Sequence, residues 1–293
     1  MDILSAAKEH TVIFDGAMGT QLIARGFASE TCPEEWNVSH AKVVAEVHAA
    51  YYAAGADVVL TNTLGGTRAK LAHYGFEGRV GELNSAAARV AAKVRDEQAP
   101  GRFVGGDIGP TGRFLKPLGD LEPDEMRDMF AEQAAALLEG GADCLVIETM
   151  FDLAETCHAV EGCRRVTDKP VLASMTFGVT PRGYRTMMGV DPRQAAHALV
   201  QAGADAVGCN CSLGAEQMVE LVAAFRAATD VPVLAEPNAG QPRLDGEQTV
   251  YDETPKHFAA NMKLIVQQGA SLVGGCCGTT PEYITALVRA LRA

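Results

Sequence analysis

The sequence is short of several features that would indicate particular classes of protein. Its 25 lysine and arginine residues are outnumbered by 37 aspartate and glutamate residues, which leaves a net charge of −12 at pH 7. A nucleic-acid partner is therefore not expected, because its phosphates would be repelled. No apolar run approaches the length that spans a bilayer. No basic segment leads into an apolar stretch at the N-terminus, so neither a membrane anchor nor a signal peptide is expected.

Linkers, low-complexity tracts and runs of like charge are also missing, and residues 1–293 are predicted to form one domain. A hydrophobic fraction of 47% with 21% charged residues is ordinary for a soluble globular protein. Eight cysteines without an export signal indicate a reducing compartment, so we expect a cytoplasmic location. In such a compartment cysteines more often bind a metal or take part in catalysis than form a disulfide framework.

A strand-like segment followed by a helix-like segment recurs eight times along the chain. The strand-like segments are almost continuously apolar, as in a parallel sheet that is covered on both faces. Three helix-like segments end in Gly-Ala-Asp (55–57, 141–143 and 203–205), where the glycine ends the helix. The predicted strands are 12–14, 57–63, 103–108, 144–149, 170–176, 206–211, 231–236 and 272–276, and the predicted helices are 41–54, 79–95, 123–138, 153–166, 192–201, 216–228, 255–268 and 281–291. Eight such units predict an α/β fold, a single closed (β/α)8 TIM barrel. The alternative is a doubly wound open sheet.

Polar and sulfur-containing side chains follow the predicted strands. In barrels of this type the active site lies at the C-terminal ends of the strands. Those ends carry Asp15, Thr61, Asn62, Asp107, Glu148, Thr176, Asn210, Cys211, Glu236, Asn238, Cys276 and Cys277. Helix packing does not require such a ring, so the functional site is predicted there. None of the seven histidines lies at a strand end.

Two adjacent cysteines, Cys276 and Cys277, stand between glycines after the last apolar segment. Neighbouring side chains on a strand point to opposite faces. Both thiols can therefore reach one point only if the strand ends and the backbone bends, which glycine permits. Cys211 ends the sixth strand, on the same side of the ring. Because a catalytic zinc ion takes three protein ligands and keeps one position open, we predict zinc on Cys211, Cys276 and Cys277.

Two alternatives to this zinc site stay open. Cys209 is two residues before Cys211, which predicts the same face one layer deeper, and it could replace Cys211 as the ligand. The adjacent pair could also be buried cysteines that act as small apolar residues. The other cysteines, Cys32, Cys144, Cys157 and Cys163, are predicted to be structural.

A zinc ion on three thiolates would suit a sulfur-containing substrate. It would be a modest Lewis acid, and a soft sulfur ligand would bind well at its open position. A free thiol has a pKa of about 8.5 and is mostly protonated near pH 7, whereas coordination deprotonates it. The predicted chemistry is attack by a substrate thiolate on an alkyl group.

Four motifs resemble those of the homocysteine S-methyltransferase family, and most nearly the homocysteine-binding modules of cobalamin-dependent methionine synthases. They are DGAMGT (15–20), GCNCS (208–212), EPNAG (236–240) and GGCCGTTP (274–281). The resemblance spans essentially the whole chain, with the motifs in the expected order. It implies a (β/α)8 barrel, a zinc ion on the three cysteines named above, and methylation of homocysteine to methionine.

The resemblance also implies positions for the substrate. Asp15 and Glu148 would hold its ammonium group, and backbone amides near Gly16, Ala17 and Met18 would receive its carboxylate. Asn238 would fill the fourth zinc position when substrate is absent. Asn210 is a further candidate for contact with the substrate, with a loop-holding role as the alternative. Loop-capping or barrel ion-pairing roles are the alternatives for Asp15 and Glu148, and Asp107 could shape its loop.

The methyl donor implied by the resemblance is methylcobalamin on a corrinoid-carrying domain or protein. The chain has no Asp-x-His-x-x-Gly stretch with which to bind a corrinoid tightly itself. A close alternative is a methyltransferase that uses betaine or S-methylmethionine directly. A barrel isomerase or aldolase with phosphate held by the glycine-rich loops after strands seven and eight is a different class. A zinc- or thiol-binding module without turnover is the non-enzymatic alternative.

Overall fold

The computed structural model describes residues 2–28, 30–246 and 248–292, and in them eight parallel strands form one sheet. Neighbouring strands along the sheet follow one another in the chain, apart from two inserted hairpins. A parallel bridge between Phe14 and Val58 joins the first barrel strand to the second, so the sheet closes. The predicted (β/α)8 barrel is confirmed, and the open doubly wound sheet is excluded.

The strands are β1 (Val12–Ile13), β2 (Val58–Leu60), β3 (Phe103–Ile108), β4 (Cys144–Met150), β5 (Val171–Met175), β6 (Gly178–Thr180), β7 (Gly183–Arg185), β8 (Ala206–Gly214), β9 (Val233–Asn238), β10 (Pro242–Asp245), β11 (Gln248–Tyr251) and β12 (Ala270–Val273). Antiparallel hairpins are formed by β6 with β7 and by β10 with β11, and the other strands form the barrel.

The helices are α1 (Ile3–Glu9), α2 (Met18–Ile23), α3 (Trp36–Ser39), α4 (Ala41–Ala53), α5 (Arg68–Leu71), α6 (Val80–Gln98), α7 (Pro123–Gly140), α8 (Leu153–Arg164), α9 (Pro192–Ala202), α10 (Ala215–Arg226), α11 (Pro255–Gln267) and α12 (Pro281–Arg292). Short 3₁₀ turns occupy Pro33–Glu35, Ala72–Tyr74 and Glu77–Arg79. Among the described residues, no helix combines the length and apolar character needed to cross a membrane.

All eight predicted strand–helix units are present, and most boundaries differ by a few residues. The last barrel strand ends at Val273, earlier than predicted, because the chain turns at the glycines that follow. Gly275 N–H donates to the Asp15 carbonyl (3.0 Å) and Cys276 N–H to the Pro237 carbonyl (2.8 Å). The hairpins, α1 and the short helices in the connections were not predicted.

The barrel interior is closed at its N-terminal end by α1. Ile3 and Ala6 are buried there against inward-facing side chains of the strands, among them Val12 and Leu172. A second, larger apolar layer lies between the sheet and the outer helices. Both layers leave the C-terminal end of the barrel free for polar side chains.

The three Gly-Ala-Asp segments make the same contacts at the N-terminal end of the barrel. Each aspartate accepts a hydrogen bond from the first part of the neighbouring strand and also pairs with an arginine. The backbone contacts are Asp57 to Ile13 N–H (2.9 Å), Asp143 to Val104 N–H (2.8 Å) and Asp205 to Val171 N–H (2.9 Å). Each segment therefore ends a helix and ties two adjacent strands together.

Candidate metal centre and substrate pocket

Cys211, Cys276 and Cys277 converge at the C-terminal end of the barrel. Their Sγ atoms all lie within 4.8 Å of one another, and those of Cys211 and Cys277 are 3.9 Å apart. A zinc–sulfur bond of about 2.3 Å places two ligands of a tetrahedral site about 3.8 Å apart. The three sulfurs therefore fit a zinc ion, with a fourth position left for another ligand.

Cys209 does not join this cluster. Its thiol is buried in the layer between the barrel and the helices, where its sulfur lies 4.0 Å from that of Met218. The prediction that Cys209 and Cys211 share a face is wrong, because the strand does not continue regularly. Cys211 and Ser212 have left-handed backbone angles, with φ of 57° and 59°, and this conformation redirects the Cys211 side chain.

A tight turn presents the adjacent cysteines. Thr279 donates to the Cys276 carbonyl from its hydroxyl (2.6 Å) and from its backbone N–H (3.1 Å). Gly278 has a φ of 81°, and a Cβ there would overlap the ring of Tyr251. Glycine is thus required both for the backbone angle and for the close approach of the aromatic ring.

The cysteine cluster stabilises a single thiolate. Contacts from the Cys211 and Cys276 thiols lower the pKa of Cys277 to about 3. The pKa of Cys276 is raised well above its ordinary value by its contacts with Cys211 and Cys277 and by burial. Because like charges repel at this distance, more than one thiolate requires a positive charge between the sulfurs.

Four carboxyl groups, those of Asp15, Asp107, Glu148 and Glu236, lie buried at C-terminal ends of barrel strands, and none forms an ion pair with another described residue. Burial raises the pKa values of Asp15, Asp107 and Glu236 well above their ordinary values. Burial, followed by the nearby charge of Cys277, raises the pKa of Glu148 to about 7. Such a cluster favours a cationic ligand group, because buried charges are costly unless they are paired.

A cavity of about 470 Å³ connects the cysteines with the acidic groups. Of the predicted site residues, it is lined by Gly16, Ala17, Met18, Glu148, Cys211, Cys276 and Cys277. Asp107 lines it as well, whereas Asp15, Asn210 and Asn238 lie behind its wall. The Asp15 carboxylate accepts from Leu60 N–H (3.0 Å), and Ala17 N–H already donates to the Thr279 carbonyl (3.1 Å).

Some residues of the pocket carry no signal in the sequence. Glu34, Lys70 and Tyr74 line it but belong to short helical turns in the connections after β1 and β2. Tyr251 reaches the cysteines from the β10–β11 hairpin, and that hairpin was not predicted. Only their position in the folded chain identifies them.

Most of the large apolar side chains that are exposed in the described part of the chain belong to one kind of segment. They lie in connections that follow barrel strands and include Ile23, Val38, Leu64, Tyr74, Leu118, Val179, Met187 and Met188. These connections begin at the end of the barrel at which the three cysteines lie.

Comparison with known proteins agrees with this geometry. The sequence profile of a family described as homocysteine S-methyltransferase matches residues 12–291. The chain is 35% identical to methionine synthase of Mycobacterium tuberculosis (strain ATCC 25618 / H37Rv) and 34% identical to methionine synthase of Mycobacterium leprae (strain TN). Each alignment covers 99% of this chain and 25% of the relative, so the chain spans about a quarter of the length of these curated relatives.

Solved structures with the same fold include the homocysteine methyltransferase MmuM from Escherichia coli. Its metallated form has a TM-score of 0.80 and 25% sequence identity over 99% of both chains. Its apo form has a TM-score of 0.74 and 25% identity over 98% of both chains.

Proposed function

Because the chain belongs to the homocysteine S-methyltransferase family, we propose that it methylates homocysteine to methionine with a zinc ion on Cys211, Cys276 and Cys277. The family predicted from the four motifs is confirmed. The observation that carries the proposal is the convergence of three sulfurs beside a buried acidic pocket. Residues 1–293 would form the homocysteine-binding domain.

The zinc ion would make a coordinated thiol a thiolate at neutral pH. The three cysteines, which line the cavity, would hold it. Asn238 is buried next to this wall, and its Oδ1 has no hydrogen-bond partner among the described residues. An unpartnered buried oxygen supports the proposal that Asn238 occupies the fourth position when substrate is absent.

The acidic groups would hold the other end of the substrate. Glu148 lines the cavity together with Asp107, and Asp107 Oδ1 has no hydrogen-bond partner among the described residues. An ammonium group placed there would donate charge-assisted hydrogen bonds to these carboxylates. Asp15, behind the wall, would contribute negative charge to the same end. Homocysteine would then lie with its sulfur at the cysteines and its ammonium group at the carboxylates.

Two kinds of methyl donor are compatible with the open face of the barrel. Exposed apolar residues in the connections after the barrel strands, namely Leu64 at the cavity and also Leu118 and Met187, would suit a partner protein or domain that carries methylcobalamin. MmuM, which this chain matches over 99% of both lengths and which is named a homocysteine methyltransferase, instead favours a barrel that acts alone on a small donor such as S-methylmethionine or betaine. Methionine formation from homocysteine with each donor in turn separates them.

The test of the metal site compares the native chain with Cys276→Ser and with Cys209→Ser as the matched control. Zinc content and homocysteine affinity are measured for all three. We expect Cys276→Ser to lose both, and Cys209→Ser, which removes a thiol that faces away, to keep both. A full equivalent of zinc in Cys276→Ser would show that the ligand assignment is wrong. Homocysteine binding without turnover on any donor would indicate a binding module instead.

A further inference from the structure

Asn210 lies one residue before Cys211, and its side chain is completely buried. Its Oδ1 accepts hydrogen bonds from Thr149 N–H and from the Ser174 hydroxyl, both at 2.8 Å. Its Nδ2 donates to Glu148 Oε2 (2.6 Å) and to Thr149 Oγ1 (2.8 Å). Both polar atoms of the amide are therefore used within the protein, and neither faces the cavity.

These bonds connect two strand ends with the same unusual backbone. Thr149 follows Glu148 and has a φ of 61°, and Cys211 follows Asn210 and has a φ of 57°. A left-handed residue other than glycine costs of the order of 1–3 kcal/mol and persists only where its surroundings hold it. Regular strand pairing is interrupted after Ile147 on β4 and after Asn210 on β8. The amide supplies bonds where the regular ladder stops.

Left-handed backbone therefore occurs at both ends of the proposed site, at Cys211 itself and at the residue after Glu148. On a regular strand the Cys211 side chain would point away from the side on which Asn210 lies, but its sulfur is 3.9 Å from that of Cys277. The Glu148 carboxylate is held directly by Asn210 Nδ2. The same Nδ2 lies 4.0 Å from Cys276 Sγ. One amide thus contacts Glu148 at one end of the proposed site and lies beside Cys276 and Cys211 at the other.

We propose that Asn210 is a positioning residue that fixes the span between the cysteine cluster and Glu148, and thereby selects homocysteine over shorter thiol amino acids such as cysteine. This inference rests on the proposed function, in which sulfur and ammonium are held at those two ends. A molecule with one methylene fewer cannot reach both ends while the span is fixed. A misplacement of about 1 Å at such a site can cost about 100-fold in rate.

The experiment uses the full chain with Asn210→Ala, and Asn84→Ala is its control. Asn84 is equally buried, and its Nδ2 donates to the carbonyls of Gly66 and Val80 and not to Glu148 or a cysteine. Zinc affinity is measured by chelator competition, and the dissociation constants of homocysteine and cysteine by calorimetry on zinc-loaded protein. We expect Asn210→Ala to weaken zinc binding about 10- to 100-fold, as the loss of groups that orient metal ligands does.

We also expect Asn210→Ala to weaken homocysteine binding more than cysteine binding. The dissociation constant of cysteine divided by that of homocysteine should therefore fall at least about tenfold. A purely structural residue would lower stability without moving this ratio, which is the behaviour expected of Asn84→Ala. If Asn210→Ala does not fold, Asn210→Asp replaces it. This variant keeps the acceptor for Thr149 and Ser174 but loses the donor to Glu148, and the same fall in this ratio is expected.

An unchanged ratio and unchanged zinc affinity in a folded Asn210 variant would overturn the proposal. So would losses that match those of Asn84→Ala. A native chain that binds zinc but no homocysteine would overturn the proposed function and the selection by length with it. In that case a weaker zinc affinity of Asn210→Ala, measured without substrate, would still support the positioning of Cys211.

Discussion

Glu148→Gln should make the stability of the metal-free protein less dependent on pH. Burial and the charge of Cys277 raise the pKa of Glu148 from 4.5 to about 7 in the folded chain. Below pH 4.5 the carboxyl group is protonated in both the folded and the unfolded chain. Between pH 4.5 and 7 it ionises mainly in the unfolded chain, so stability falls as pH rises, and the loss is complete above about pH 7.

The size of this effect follows from the interval between the two pKa values. At about 1.4 kcal/mol per pH unit, it corresponds to a loss of about 3 kcal/mol of unfolding free energy. Glutamine does not ionise, and its amide oxygen can still accept from Asn210 Nδ2. We therefore expect the unfolding free energy of Glu148→Gln, relative to that of the native chain, to rise by about 3 kcal/mol between pH 4.5 and pH 8.

The assay is urea unfolding at several pH values in this range, with a chelator and a thiol reductant present. Glu216→Gln, a substitution of an exposed glutamate, should follow the native chain at every pH. At pH 7.5 the zinc-loaded Glu148→Gln variant should bind homocysteine about 10- to 100-fold more weakly, since a hydrogen bond to a charged group contributes about 1.5–3 kcal/mol. A constant difference in stability between Glu148→Gln and the native chain across the pH range would refute the reasoning.

Three further predictions concern the metal and the barrel. Removing zinc with a chelator should abolish methionine formation and adding zinc back should restore it, whereas full activity in the chelated protein would contradict the metal site. Gly208→Ala should prevent folding, because a Cβ there would overlap a backbone carbonyl of β9. Gly78→Ala, where a Cβ meets open space, should fold normally by circular dichroism. Asp205→Ala should lose about 1–3 kcal/mol through the unpaired N–H of Val171, with homocysteine affinity unchanged; an equal loss of affinity would argue against a role confined to the N-terminal end.

The architecture was predictable because its signals are local. A glycine that ends a helix and an aspartate that precedes an apolar strand are read from neighbouring residues, and Asp57, Asp143 and Asp205 each follow this phrase. The sequence, however, indicated only that each aspartate precedes a strand and predicted no contact for its side chain. Their bonds to the strand alongside involve partners about 30 to 45 residues away, which no local pattern indicates.

The site was predictable in part. The bend at Cys276 and Cys277 follows from the glycines around them, and both sulfurs do meet Cys211. The acidic ring was predicted as strand ends, but the division between residues that line the cavity and those behind it was not. Asp107 lines the cavity and Asp15 lies behind it, since small differences in backbone course decide which side chain reaches the open space.

By itself the sequence determined the eight repeated units, the family and the three sulfurs, because periodicity, glycine and short motifs act within a few residues. Only the tertiary structure decided that Cys211 faces the cluster while Cys209 faces the helices. That outcome depends on a left-handed backbone at Cys211, next to an amide bonded to a strand end 61 residues earlier in the chain. Regular alternation along a strand would place Cys209 and Cys211 on the same face. Only contacts between distant segments override that alternation.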